Sequence, residues 1–231
     1  MCSSDLIVRN AFMRSRSGKD NEQRFNKSGT LDERSLHRIA YGETNLFTRK
    51  SAPSPQRITL WLLCDNSGSM QGDRLTQTEQ LAAAIAQATL PMQTIKCQVW
   101  SWNGHNGNVA SLNWKTGMPL TQFARMHANG GTPDAPIIGW ASENITKQCG
   151  NSTPVIIMLS DGMGSSNLQD RVAKARKRGV KVYSVALASD LGEDYQRLVY
   201  GKGNYITCNG PVDTIARPLA NMIAQIGRAH V

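Results

Sequence analysis

The sequence predicts an α/β domain: a doubly wound, mostly parallel central sheet with helices on both faces, preceded by a basic N-terminal arm. Three observations predict it. Short apolar runs such as Ile58-Thr59-Leu60-Trp61-Leu62-Leu63-Cys64 and Val155-Ile156-Ile157-Met158-Leu159 read as strands buried on both sides. Helical segments alternate with them along the chain, the pattern of parallel strands joined by crossovers. With 231 residues, 40% of them hydrophobic, the chain is long enough for one such core and an additional arm.

Residues 1–56 are polar and basic, with Arg14, Arg16, Lys19, Arg24 and Lys27 and few apolar side chains. Up to Lys27 a weakly ordered or helical arm is expected. Thr30-Leu31-Asp32-Glu33 then reads as a capping box with Thr30 as N-cap, and Leu31, Leu36, Ile39 and Ala40 supply a short apolar stripe that Gly42 can end. Ser51-Ala52-Pro53-Ser54-Pro55 is a linker by composition.

The domain proper is expected over residues 57–225. A helix from Leu75 to Leu90 follows the first strand and is closed by Pro91. Strands are read at Ile95 to Trp102 and, short and near an edge, Val109 to Trp114. Pro119 to Met126 looks helical, and Pro133 opens a helix reaching about Gln148. After the Val155–Leu159 strand come a basic helix from Leu168 to Arg178, a strand from Val180 to Leu187 and a short helix near Asp194 to Tyr200. A strand at Tyr205 to Cys208 and a helix from Val212 to Ala224, kinked at Pro218, complete the series.

The bulk properties narrow the function classes. A net charge of +9 suits anionic surfaces, acidic proteins or nucleic acid, or is spread over solvated faces. The five cysteines (Cys2, Cys64, Cys97, Cys149 and Cys208) form no CxxC pair and no zinc-ligand spacing. Cys64 and Cys97 lie in apolar runs and read as buried, and an odd count without a framework favours a reducing compartment. No apolar stretch is long enough to span a membrane and no secretory signal is evident, so a cytoplasmic protein without membrane contact is expected. The terminal run Ile226-Gly227-Arg228-Ala229-His230-Val231 resembles the translation of a sequencing-library adapter. The opening run Met1-Cys2-Ser3-Ser4-Asp5-Leu6 resembles its reverse complement. The pair predicts an assembled fragment cut at both ends, with residues 1–6 and 226–231 foreign to the fold.

The chemistry is carried by the loop after the first strand of the domain. Asp65-Asn66-Ser67-Gly68-Ser69-Met70 places one carboxylate and two hydroxyls at alternate positions, with Gly68 allowing a tight turn. In a doubly wound sheet, ligands bind beyond the carboxyl ends of the strands. Two further oxygens belong to the same edge: Thr132 in Asn129-Gly130-Gly131-Thr132-Pro133, and Asp161 in Leu159-Ser160-Asp161-Gly162. Few charges and several neutral hard oxygens suit Mg²⁺, with Mn²⁺ or Ca²⁺ as alternatives.

The ordered set Asp65, Ser67, Ser69, Thr132 and Asp161 resembles the metal-ion-dependent adhesion site of the von Willebrand factor A family, with its Rossmann-like fold. That resemblance implies that these five residues hold the metal and that a carboxylate from a partner protein completes its coordination, with no catalysis. The segment before the sheet, from Ser28-Gly29-Thr30-Leu31-Asp32 through Leu36-His37-Arg38-Ile39-Ala40 and Gly42-Glu43 to Phe47-Thr48-Arg49-Lys50, resembles the lead-in of the T subunit of aerobic cobaltochelatase and its bacterial and phage relatives. The resemblance implies an AAA+ (MoxR-like) ATPase as partner. The chain departs from that subunit between the second strand and Thr132, so a paralogue serving another ATPase fits as well.

Other readings have less behind them. A haloacid dehalogenase-type phosphatase needs a second carboxylate where Ser67 stands, and no P-loop is present. Nucleic-acid binding is the alternative: Lys174, Arg176, Lys177 and Arg178 cluster on one helix, and Trp100, Trp102 and Trp114 are stacking candidates. For those residues a solvated helix end and core packing are the simpler readings. His105 reads as a loop residue, His37 and His127 as surface residues and Trp61 as core. Asp73 and Asp134 either steer cations or stabilise helix N-termini.

Overall fold

The computed structural model describes residues 21–28, 30–41, 43–51, 57–104, 109–162, 164–187, 193–208, 215, 218–219 and 221–222. These fall into two units, one within residues 16–55 and one from residue 56 onward. The expected adapter-like ends, the basic residues Arg14, Arg16 and Lys19, the Pro/Ser linker after Ser51 and His105 lie outside the described residues.

The smaller unit is a three-stranded antiparallel sheet of β1 (Asn21–Asn26), β2 (Thr30–Leu31) and β3 (Phe47–Ser51), in the order β1-β3-β2. Over Asn21–Asn26 a strand therefore stands where a weakly ordered or helical arm is expected, and residues 1–20 of that arm lie outside the described residues. The sheet also moves the cap. Thr30 pairs with Thr48 in the sheet, and Asp32 instead opens a 3₁₀ helix over Glu33–Tyr41, accepting from Arg34 N–H (3.2 Å) and the Ser35 hydroxyl (3.0 Å). Competition between a ladder and a cap was decided two residues later than the sequence pattern implied.

The larger unit holds a six-stranded sheet in the order β6-β5-β4-β7-β8-β9. Its strands are β4 (Ile58–Asp65), β5 (Ile95–Asn103), β6 (Val109–Lys115), β7 (Thr153–Ser160), β8 (Lys181–Leu187) and β9 (Tyr205–Cys208). All neighbours pair in parallel except β5 and β6. The helices are α1 (Asp73–Thr89), α2 (Asp134–Cys149), α3 (Leu168–Lys177) and α4 (Glu193–Tyr200). Every residue of β4 is buried, which is why its sequence is apolar without alternation. The period of two then divides its side chains between two cores. Leu60, Leu62 and Cys64 pack with Leu81, Ile85 and Ala86 of α1, whereas Trp61 and Leu63 pack with Ile137, Ile138 and Ala141 of α2 and Val172 of α3. Helices therefore cover both faces of the sheet, as expected.

One helix differs from expectation. Between Pro119 and Met126 only Leu120–Gln122 turns helically. Phe123 is extended there, and Asn113 captures Ala124 by a backbone bond (3.0 Å) and a side-chain amide bond (3.1 Å), so the segment pairs with β6 rather than coiling. Of the Val212–Ala224 helix, Ile215, Leu219 and Met222 are described and buried on one face, and the Leu219 N–H reaches the Ile215 carbonyl at 2.9 Å; much of the remainder lies outside the described residues. Cys64 and Cys97 are fully buried, as their surroundings in sequence imply. Among the described residues no helix is long and apolar enough to cross a membrane.

Candidate metal centre

Asp65 is the last residue of β4, held between β5 and β7 and fully buried. Its Oδ1 accepts the Ser67 N–H at 2.8 Å, turning the chain immediately after the strand. A 3₁₀ turn over Gly68–Met70 follows and brings the Ser67 and Ser69 hydroxyl oxygens to 3.1 Å from one another. Met70, fully buried, pins the far end of this turn. The three oxygens read from Asp-x-Ser-x-Ser thus come from one loop at the carboxyl end of the central strand.

A second loop is sewn onto the first. The Gly68 N–H donates to the Gly130 carbonyl (3.0 Å), the Asn129 N–H to the Asn66 carbonyl (2.8 Å) and the Asn66 amide to the His127 carbonyl (3.0 Å). The Gly104 N–H donates to the Gly131 carbonyl at 2.8 Å. Gly130 adopts φ +72°, a conformation open to glycine at little cost. These bonds deliver half-buried Thr132 to the entrance of α2 beside the Asp65 loop.

The third loop leaves β7. Cys64 pairs with Leu159, so Asp161 stands just beyond the strand end neighbouring Asp65, and it is 3% exposed. Gly162 turns the chain away with φ +88°, its N–H on the Ser160 hydroxyl (3.3 Å) and its carbonyl on the Gln196 amide (3.3 Å). The β7–α3 loop is secured further on by Asp134, at the start of α2. Its carboxylate accepts from the Ser165 N–H (2.9 Å), the Ser165 hydroxyl (2.5 Å) and its own helix's Ala135 N–H (2.7 Å). Of the two readings open for Asp134, helix N-terminal stabilisation accounts for one of these bonds. The two to Ser165, which tie two loops together, were in neither reading.

The electrostatics follow from burial. Desolvation raises the Asp65 carboxyl to about pH 7; the Ser67 hydrogen bonds pull it down, and the neighbouring Asp161 and Asp134 charges push it up again. Its Oδ2 is buried and has no hydrogen-bond partner among the described residues. A buried carboxylate oxygen without a donor is costly in a protein interior, and a cation is one thing that satisfies it. Among the described residues no three His, Cys, Asp or Glu side chains gather as a metal site; the set here mixes carboxylates with hydroxyls, which suits a hard cation.

One rim residue was missed in the sequence. Arg74, in the first turn of α1, places its Nη1 3.9 Å from Asp161 Oδ2 and 3.5 Å from the Ser69 carbonyl. The only signal for it was a cation at a helix N-terminus, where the helix dipole disfavours it.

The residues singled out for nucleic acid are mostly engaged elsewhere. Arg176 turns inward onto the Val182 (3.0 Å) and Tyr200 (2.6 Å) carbonyls, and Arg178 pairs with Glu143 at 3.0 Å. Trp102 and Trp114 are fully buried, so neither can stack on a base. Trp100 packs with Trp61 (5.3 Å between centroids) and Trp140 (5.1 Å).

Known structures share this architecture. Proximal thread matrix protein 1 from the mussel byssus matches with a TM-score of 0.60 and 14% identity, over 73% of this chain and 48% of that one. A further structure of the same mussel protein carries zinc in its MIDAS motif. The pilus adhesin SpaC of Lactobacillus rhamnosus GG matches with a TM-score of 0.61 and 13% identity, over 75% of this chain and 31% of that one. Manganese-loaded TRAP protein of Plasmodium vivax matches with a TM-score of 0.57 and 14% identity, over 73% and 74%. This chain therefore spans about half the length of the mussel protein and about a third of the adhesin. At such identities the likeness shows a common fold. No curated protein matches the sequence significantly. The model of the von Willebrand factor type A domain matches residues 60–210, and the chain belongs to that family.

Proposed function

We propose that Asp65, Ser67, Ser69, Thr132 and Asp161 hold a divalent cation, Mg²⁺ in the cell, and that the loaded site binds a carboxylate of a partner protein without catalysing a reaction. The observation that carries this reading is the buried Asp65 Oδ2, which lacks a hydrogen-bond partner among the described residues and lies in a loop whose neighbouring oxygens are hydroxyls. Two carboxylates and three hydroxyls are hard donors that carry less charge than an all-carboxylate cage, so a bound cation keeps attraction for a further anion. When bound, the metal would supply a positive centre in a partly dry site. The chain's own contribution is to fix the donors: β4 and β7 set the two carboxylates, and the stitched loops set the hydroxyls.

The partner in this proposal is a ring-forming AAA+ ATPase, as the cobaltochelatase-like lead-in over residues 28–50 implies, with ATP hydrolysed there. The experiment is a pull-down from lysate of the source cells, comparing wild type with Asp65→Ala, each in Mg²⁺ and in EDTA. An ATPase retained by wild type in Mg²⁺ and lost in the other three conditions supports the reading. The same proteins in all four conditions contradict it.

A further inference from the structure

Arg74 is misplaced by the ordinary rules of helix construction. It occupies the first turn of α1, where the helix dipole favours acids, yet its guanidinium folds back over the preceding turn toward the Ser69 carbonyl (3.5 Å) and Asp161 Oδ2 (3.9 Å). The two partners belong to the first and third loops of the site. Asp161 is 1% exposed at its side chain and Arg74 38%, so the cation stands at the mouth of the site with the acid beneath it.

The charge balance gives this position a consequence. Asp65 and Asp161 follow neighbouring strands and Asp134 begins α2, and both Asp161 and Asp134 act on Asp65 electrostatically. A divalent cation offsets two of the three negative charges. Without another positive group the loaded site would attract a carboxylate less strongly. Arg74 supplies the missing charge on the solvent side.

Resting on the metal-site reading above, we propose that Arg74 is the built-in second cation of the site: it opposes metal entry and favours the acidic ligand once the metal is bound. One substitution should therefore move two affinities in opposite directions. Loosening of the loop, the ordinary outcome of losing a surface arginine, would weaken both.

The test uses the full chain with Mn²⁺ alone and then acetate as the carboxylate probe, read by water-proton relaxation at low ionic strength. In Arg74→Gln, Mn²⁺ should bind about three-fold more tightly, and the loaded protein should need about three-fold more acetate to displace the coordinated water, the scale expected for a part-exposed charge pair. Arg74→Lys, which keeps the charge, should stay near wild type in both. Both differences should shrink in high salt. Two unchanged affinities in Arg74→Gln, or two that weaken together while thermal unfolding stays cooperative, overturn the proposal. If wild type itself fails to bind Mn²⁺, the metal-site reading fails, and this inference with it. Binding by wild type with no opposed shift in Arg74→Gln sinks this inference alone.

Discussion

Asp134 and Ser165 join two of the three loops at the candidate metal centre: the carboxylate of Asp134, two residues after Thr132, accepts both the backbone N–H (2.9 Å) and the hydroxyl (2.5 Å) of Ser165, four residues after Asp161. The residue is 2% exposed, so its charge is stabilised almost wholly by these bonds and by the α2 N-terminus. The positions of Thr132 and Asp161 are thereby coupled through a residue that is in neither loop's ligand set.

Asp134→Ala should consequently weaken Mg²⁺ binding about ten-fold, the scale on which groups supporting a ligand act, and lower stability by about 2 kcal/mol. Asp134→Asn, which keeps an acceptor, should recover part of both. Calorimetric titration and denaturant unfolding measure the two effects separately. An Asp134→Ala protein with full metal affinity would show that the coupling is structural only.

Gly164 makes a steric prediction at the same junction. A Cβ there would collide with the Tyr195 hydroxyl and come within 2.6 Å of Asp134 Oδ2 and 2.8 Å of Leu168 Cδ2. Gly164→Ala should therefore destabilise the domain by about 1–3 kcal/mol as an overpacked site. Gly117→Ala, at φ +100° but with open space around it, should cost less. Thermal unfolding of the two variants checks the order.

The Asp65 carboxyl sets a pH dependence. Its raised value, about 7 against an ordinary 3.8, means that the metal-free folded protein keeps a proton the unfolded chain has lost. Below about pH 4 the difference vanishes. Between about pH 4 and pH 7 the metal-free protein should lose stability as pH rises, and above that the loss is complete. A metal held by Asp65 would displace this proton, so Mg²⁺ affinity should climb toward pH 7 and then level off. In Asp65→Asn the stability slope over this window should flatten, as denaturant melts in EDTA would report.

Asp65→Asn also separates stability from function. It removes a buried charge whose Oδ2 lacks a hydrogen-bond partner among the described residues while keeping an oxygen for the Ser67 N–H. The variant should be more stable than wild type in EDTA at pH 8, by about 1 kcal/mol or more, and should gain nothing from Mg²⁺.

Much of the candidate site could be read from the sequence because its two carboxylates stand at strand ends. The unbroken apolar runs 58–64 and 155–159 placed β4 and β7 in the sheet interior, and the residues after them, Asp65 and Asp161, had to emerge at one edge. The supporting contacts were not legible. Asp134 reaches Ser165 across 31 positions, and Arg74 reaches Asp161 across a gap set by loop geometry that no periodicity encodes. Elsewhere local signals misled. Thr30 looks like a cap, but pairing with Thr48 took it into a ladder, and Asp32 beside it took the cap. The polar stretch over Asn21–Asn26 lacks strand alternation, and its pairing with β3 depends on a partner more than 20 residues away.

The most direct test of the central claim is the thermal unfolding midpoint in EDTA and in excess Mg²⁺, measured for wild type, Asp65→Asn and Ser67→Ala. Mg²⁺ should raise the wild-type midpoint in a concentration-dependent way, by an amount set by its affinity for the folded chain, and both variants should lose the rise while still folding. A wild-type midpoint indifferent to Mg²⁺, Mn²⁺ and Ca²⁺ alike, or a rise that survives in both variants, would contradict a metal centre at Asp65, Ser67, Ser69, Thr132 and Asp161.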